Sequence, residues 1–304
     1  MGYRITAGES PQDAVRRIVC EQADKALADL AAGGDPVESA HAARKRFKKI
    51  RGALRLVRGS MPGKDFDREN AAWRDAGRAV AALRESGAMV ETAAAVRDRL
   101  EDPAAAAALA RLCAHLESGV QRWTEGAAQA ALDTAAEMTR QTRGRADGLT
   151  LKSDGFAAVR KGLKRVYKRG GFAGARAFTT GQPEDFHDWR KRVKYLRQHF
   201  RLLERIAPEA LADEENRTKE LAELLGDDHD ATVLRTLIVA DPQAAGGGEG
   251  AEALIHALSA RSVMLRAKAR PLFQQVYAER PRDFADRIGG WWEAWVEGSG
   301  AKEG

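Results

Sequence analysis

The stretch His41–Arg58, HAARKRFKKIRGALRLVR, is written a second time at His187–Glu204, HDWRKRVKYLRQHFRLLE. Laid over each other without a gap, the two share eight of eighteen residues: His41/His187, Arg44/Arg190, Lys45/Lys191, Arg46/Arg192, Lys48/Lys194, Arg51/Arg197, Arg55/Arg201 and Leu56/Leu202. Shared composition does not produce that many matches in register. At about 100° per residue on a helix, His41, Arg44, Lys45, Lys48 and Arg55 fall in one narrow arc with Arg51 at its edge. Ala43, Phe47, Ile50, Leu54 and Val57 occupy the opposite arc. His187, Arg190, Lys191, Lys194 and Arg201 repeat the basic arc, with Arg197 at the same edge, and Trp189, Val193, Leu196, Phe200 and Leu203 repeat the apolar one. Each copy therefore reads as an amphipathic helix with a cationic stripe, roughly 21 Å from the His to the last shared Arg.

A chain of 304 residues can bury one large core or two smaller ones, and the repeat favours two halves, 1–148 and 149–304. Alanine-rich amphipathic stretches separated by Gly, Pro and Asp point to an all-α fold. No run of 18 uninterrupted apolar residues marks a membrane span, and MGYRITAGES lacks the basic and apolar regions of a secretory signal. The two cysteines, Cys20 and Cys113, have no metal or redox spacing and read as small hydrophobes of a cytoplasmic protein. The net charge of +6 invites an anionic partner only moderately. Its distribution says more, because Arg44–Arg58 carries eight Lys/Arg and no acid.

Taken in order, Ser10-Pro11 opens a helix to about Leu30, and Asp35-Pro36 opens the first basic helix, closed at Met61-Pro62-Gly63. A third stretch is expected from Phe66 to Arg84, a break at Gly87, a short run to Leu100, and a long helix from Asp102-Pro103 to about Arg140. Thr142–Ser153 is the candidate linker. The second half then replays the first: a helix over Asp154–Arg169, the second basic helix after Gln182-Pro183, and a stretch from Pro208 to Leu225. An interruption at Gly226–Asp230, a run over Ala231–Val239 and a long helix over Ala251–Glu279 follow. A last helix from Pro281 to Trp295 has no counterpart in the first half. Four helical elements per half fit two pseudo-symmetric four-helix bundles facing a basic central cleft about a pseudo-two-fold axis.

The halves are not equal. Lys161, Lys164, Arg165 and Lys168, at i, i+3, i+4 and i+7, make a third cationic stripe that their counterparts Arg17, Cys20, Glu21 and Asp24 do not. Binding is expected to be lopsided toward the second half.

The pattern HxxRKxxKxxRxxxRL, its repetition, the LGDDHD stretch after the second copy and the YRITAGES start resemble the CHAD family, the conserved histidine α-helical domains, over Tyr3 to about Trp295. The resemblance implies two pseudo-symmetric four-helix bundles with a basic central cavity, and inorganic polyphosphate as ligand. Carried over by position, it makes His41, Arg44, Lys45, Lys48, Arg51 and Arg55 binding residues, together with His187, Arg190, Lys191, Lys194, Arg197 and Arg201. One departure stands out: the family's polar pair is matched by His229-Asp230 in the second half, whereas Ser86-Gly87 occupies the place in the first.

Like charges at i, i+3 and i+4 repel, and a linear polyanion would supply counter-charge to two such faces. Arg can hold phosphate oxygens in a fork while Lys acts as a mobile point charge. His41 and His187 are open to three roles: phosphate donor, structural or capping residue, and metal ligand. Asp227, Asp228, His229 and Asp230 read either as a cap that orients Lys or Arg, or as a metal cluster. Trp291, Trp292 and Trp295 read as core anchors ahead of base-stacking platforms, and His115, His199 and His256 as surface or packing residues. The cationic arcs carry no interleaved aromatics, so nucleic acid is the weaker partner. The expectation is a non-enzymatic, cofactor-free cytoplasmic module for inorganic polyphosphate, placed at polyphosphate granules. The alternatives are a metal-dependent enzyme of phosphate or polyphosphate metabolism and a non-specific nucleic-acid binder.

Overall fold

A computed structural model describes residues 2–97, 100, 102–119 and 123–300. Among them are eleven α-helices, three 3₁₀ turns and no strand, so the all-α expectation holds. The helices are α1 (Pro11–Leu30), α2 (Pro36–Val57), α3 (Gly63–Ala79), α4 (Ala81–Arg97), α5 (Pro103–Ser118), α6 (Glu125–Arg143), α7 (Gly155–Thr180), α8 (Pro183–Leu203), α9 (Pro208–Ala240), α10 (Gly248–Val276) and α11 (Pro281–Gly300). Six of them precede the linker and five follow it, instead of four and four. No helix is long and apolar enough to cross a membrane among the described residues.

Local chemistry starts the helices that carry the repeat. Ser10 accepts from the Asp13 amide at α1, and Asp35 accepts from the Val37 amide at α2, each followed by Pro at the first helical position. At α8, Pro183 follows Gln182 in extended conformation. The buried faces of α2 and α8 match the apolar arcs: Phe47, Ile50, Leu54 and Val57 in one, Trp189, Val193, Leu196 and Phe200 in the other.

Several boundaries differ from expectation. The break after α3 falls at Val80, and α4 runs on through Gly87. The long alanine-rich helix is two, because Gly119 caps α5 and Thr124 starts α6 by accepting from the Ala127 amide. The helix after the linker continues to Thr180, where Gly181 ends it. Most consequential, α9 is one uninterrupted helix of 33 residues, with Gly226–Asp230 inside it. Leu221, Leu225, Asp228, Ala231, Leu234 and Ile238 form one buried face straight through that segment, so the stripe keeps its period and overrides local turn chemistry.

Two cores organise the packing. The main one takes in α1, α2, α3 and α6, and with them α7, α8, the first half of α9 and α11. A second cluster joins α4 and α5 to the last turns of α9, the Pro242–Ala245 turn and the start of α10. Aromatic packing fixes α8 from behind, with the Trp189 ring 5.4 Å from both Phe178 and Phe273. In α11, Trp292 is buried, 6.1 Å from Phe156, a core anchor as expected. Cys20 packs on the main core and Cys113 on the second cluster, and burial pushes both thiols up.

The linker is stitched down. Leu151 donates its amide to Gln12 Oε1 at 2.9 Å, Lys152 to the Ser60 carbonyl at 2.8 Å, and Ser153 to Ser60 Oγ at 2.9 Å. Nearby, α2 and α7 approach backbone to backbone, and a Cβ on Gly162 would collide with the carbonyl oxygen of Leu56. Gly162→Ala should therefore destabilise by about 3 kcal/mol, the upper end for overpacking. Gly52→Ala, whose Cβ would meet only side-chain atoms, the Gln198 amide and the Tyr3 hydroxyl, and no backbone, should cost less. Chemical denaturation of the two variants checks the order.

Candidate functional site

The two basic helices touch at equivalent positions of the repeat. Gly52 and Gln198 are each the twelfth residue of their copy, and a Cβ on Gly52 would run into the Gln198 amide oxygen. Arg55, three residues beyond Gly52, lies 4.2 Å over the ring of Tyr195, three residues before Gln198. The mirror pair is Lys49 and Arg201: burial first, then Arg46 and Arg201, holds Lys49 below its ordinary pKa. Tyr3 caps this side, donating its hydroxyl to the Lys49 carbonyl at 2.8 Å.

Around this crossing the cationic arcs converge. Lys194 is exposed, yet it sits in a concave surface where burial, Arg190, Lys48 and Arg197 push its pKa down to about 8 against the pull of Asp230. Beside it a cavity of about 580 Å³ joins Arg44 of the first stripe to Arg190 of the second, with His229 and Asp230 on α9 and the Met89–Ala95 face of α4 as walls. Arg44 donates to the Ala81 carbonyl at 3.3 Å. Arg190 Nε is buried with no acceptor among the described residues, and burial holds its guanidinium below the usual arginine value despite Asp230. Burial also raises the Asp230 carboxyl, against Arg190.

Other predicted site residues have protein partners. Arg51 donates to Asn70 on α3 at 3.2 Å, and its counterpart Arg197 donates to Glu215 on α9 at 3.1 Å, with Arg201 3.8 Å from the same carboxylate. Lys191 lies 3.4 Å from Asp188. Lys45 and Lys48 are exposed and His41 is half-buried. Glu215 and Asp188 thus neutralise part of the second-half stripe. The third stripe also divides. Arg165 faces a separate cavity with Arg55, Lys161 stands beside Gly59, and Lys168 lies 5.5 Å from the Phe172 ring on another face. Lys164 is half-buried on α7.

His187 meets a partner that the sequence did not supply. Its Nδ1 lies 3.2 Å from Nδ1 of His229, with ring centroids 4.2 Å apart, at the head of a groove of about 700 Å³ between α8 and α9. Burial and then Lys191 and Arg190 lower the His187 pKa, while burial and then His187 take His229 down to about 4. The neighbouring aspartates are engaged: Asp227 accepts from Arg261 at 3.1 Å and Asp228 from Arg266 at 2.9 Å, both on α10. They orient arginines, as expected, but from mid-helix and not as caps. Ser86-Gly87, the first-half counterpart, lies outside the residues whose side chains are described. No group of three or more His, Cys, Asp or Glu is placed to hold a metal among the described residues.

A family model described as the CHAD domain matches residues 17–239, which hold both basic helices and the His229-Asp230 pair. The chain belongs to the CHAD family. The structure of PptA from Streptomyces chartreusis is similar to it, with a TM-score of 0.53 and 17% identity over 88% of this chain and 99% of that one, a likeness of fold. No curated protein matches in sequence. The CHAD match ends at Val239, one residue short of the end of α9, so α10 and its two aspartate-binding arginines lie beyond it.

Reading the CHAD stripes alone misses Arg58, Arg169 and Arg192, and the α4 wall. Arg192 matches Arg46 in the repeat but sits about 140° round the helix from His187, outside the basic arc. Arg46 pairs with Asp29 at 3.0 Å, whereas Arg192 faces the cavity of Arg55. Arg169 is the next turn's continuation of Arg165, and ending the helix there hid it. A histidine NMR titration should place the His229 midpoint near 4 and that of His187 below 6.5. Lys191→Ala should move His187 upward, and a midpoint indifferent to Lys191 would contradict the arrangement.

Proposed function

We propose that this CHAD protein is a non-enzymatic module that binds inorganic polyphosphate along the groove where α2 and α8 cross. The observation that carries the reading is the meeting of the two stripes at equivalent positions, Gly52 against Gln198, flanked by the mirror pairs Arg55–Tyr195 and Lys49–Arg201. A self-equivalent crossing is what a pseudo-two-fold axis requires. It supports two related bundle halves, 1–148 and 149–304, around a basic cleft. The name of the ligand comes from the family resemblance; the geometry contributes the fit.

That fit is electrostatic and directional. Burial first, and then Arg190 and Lys48, depress the proton affinity of Lys194, which is the energetic signature of a cation that an added anion would stabilise. A chain of phosphates runs charge along the groove, so Lys45, Lys48, Lys191 and Lys194 engage successive groups while Arg44 and Arg190 fork onto oxygens. The unfilled Nε of Arg190 is one donor such an oxygen would satisfy. His41 and His187 begin the two stripes and add imidazole donors at their ends. The module would work in the cytoplasm, on polyphosphate granules.

The enzyme reading receives no support from Asp227 and Asp228, whose carboxylates are occupied by Arg261 and Arg266. Metal-dependent phosphate release, abolished by Asp228→Asn with Asp230→Asn, would favour it. Competition between polyphosphate and DNA at several salt concentrations separates the binder of nucleic acid from the binder of polyphosphate.

Replacing Arg44, Lys45, Arg190 and Lys191 together with Ala should abolish retention on immobilised polyphosphate with helicity intact by circular dichroism. Unchanged affinity would sink the paired-stripe model. Affinity should also fall as pH rises through about 8, where Lys194 gives up its charge. The bound polyanion favours the protonated amine, so the loss should shift to higher pH at saturation. Lys194→Ala should flatten that part of the profile in a calorimetric titration.

A further inference from the structure

A second concentration of charge lies at the same crossing, and the repeat does not account for it. Arg55, Arg58, Arg165, Arg169 and Arg192 converge on a cavity of about 230 Å³. They come from α2 and its C-cap, from α7 and from α8. Phe66, Val166 and Tyr195 wall the space. Counter-charge is sparse: Asp67 lies 3.8 Å from Arg58, and Asp188 lies 3.3 Å from Arg192. Arg165 and Arg169 make no ion pair among the described residues. Burial, Arg51, Arg192 and Arg58 together bring the Arg55 pKa down to about 10, with Tyr195 opposing. Burial, Arg192 and Arg165 lower Arg169.

The equivalent positions in the other half are Arg201, Glu204, Glu21, Lys25 and Arg46. Two of the five are acids, and the local charges are closed off: Glu204 with Arg4 at 2.7 Å, Glu21 with Arg17 at 3.3 Å, Arg46 with Asp29 at 3.0 Å. A pseudo-symmetric surface for an extended chain needs no such difference. Five guanidiniums around a small, partly apolar cavity suit an anion that packs high charge into little volume. A terminal phosphate carries close to two charges at neutral pH, because its second pKa lies near 6, against about one for an internal unit. Arginine forks hold several of its oxygens at once.

We propose that this one-sided pocket is a terminal-phosphate site, taking the compact end group of a linear polyphosphate or of free pyrophosphate. The chain-end source rests on the function proposed above; the pyrophosphate source does not.

The test compares linear tripolyphosphate with cyclic trimetaphosphate, which has the same number of phosphates and no ends, by isothermal titration calorimetry on the full chain. The native protein should prefer the linear form on the order of tenfold, the worth of one or two charge-assisted hydrogen bonds. Arg165→Ala with Arg169→Ala, both exposed positions, should erase that preference. Lys45→Ala with Lys191→Ala should keep it while weakening long-chain binding. Pyrophosphate binding lost in the Arg165/Arg169 variant assigns free pyrophosphate as an occupant; linear preference without pyrophosphate binding assigns chain ends. Equal affinity for the two forms in the native protein, or a preference that survives the Arg165/Arg169 change, overturns the proposal. Failure of long polyphosphate to bind, with the linear preference present, would overturn the cleft reading and leave this one standing.

Discussion

The close approach of α2 and α8 at Gly52 and Gln198 is the constraint on which the rest depends. Two helices with cationic faces repel, and a single cation–π contact, Arg55 over Tyr195 at 4.2 Å, is small beside what is needed to hold them together. The apolar backs do it: Phe47 against Trp73 at 5.8 Å behind α2, and Trp189 among Phe178, Phe186 and Phe273 behind α8. Burying each such aromatic is worth about 2–3 kcal/mol, against a few tenths for each exposed like-charge pair. The core can therefore hold the stripes face to face, at the expense of lysine and arginine pKa values displaced from their ordinary range.

The parts of this arrangement that could be read in the sequence are those fixed locally. The caps at Ser10 and Asp35, the Pro183 start and the in-register repeat placed α1, α2 and α8 correctly. The apolar arcs of α2 and α8 are their buried faces. Misreadings arose where a distant helix decides. Gly226–Asp230 carries turn-forming residues, but Arg261 and Arg266 on α10 take up two of its aspartates and the buried stripe continues beneath them. Val80 ends α3 with neither Gly nor Pro to announce it.

The site was legible as charge and illegible as shape. Helical arcs identified which side chains share a face, yet a wheel does not say that α4 would wall one cavity or that Arg192, off the arc, would face another. The His187–His229 contact joins residues 42 apart in sequence, a distance at which neither residue's local pattern carries information about the other. Pairing by Glu215 and Asp188 likewise joins the second stripe to carboxylates that the helical wheel did not place beside it.

The pinned linker bears on how any ligand is captured. Leu151, Lys152 and Ser153 are bonded to Gln12 and Ser60, and the backbones of α2 and α7 are in contact through Gly162, so the segment joining α6 to α7 is held against α1 and the end of α2. On the proposed function, a groove held that way is open before its polyanion arrives and does not close over it afterwards. The ordering entropy of association then falls on the flexible anion and little on the protein. Encounter with the proposed polyanion would then be governed by long-range attraction, making the on-rate, more than the off-rate, the quantity that ionic strength controls.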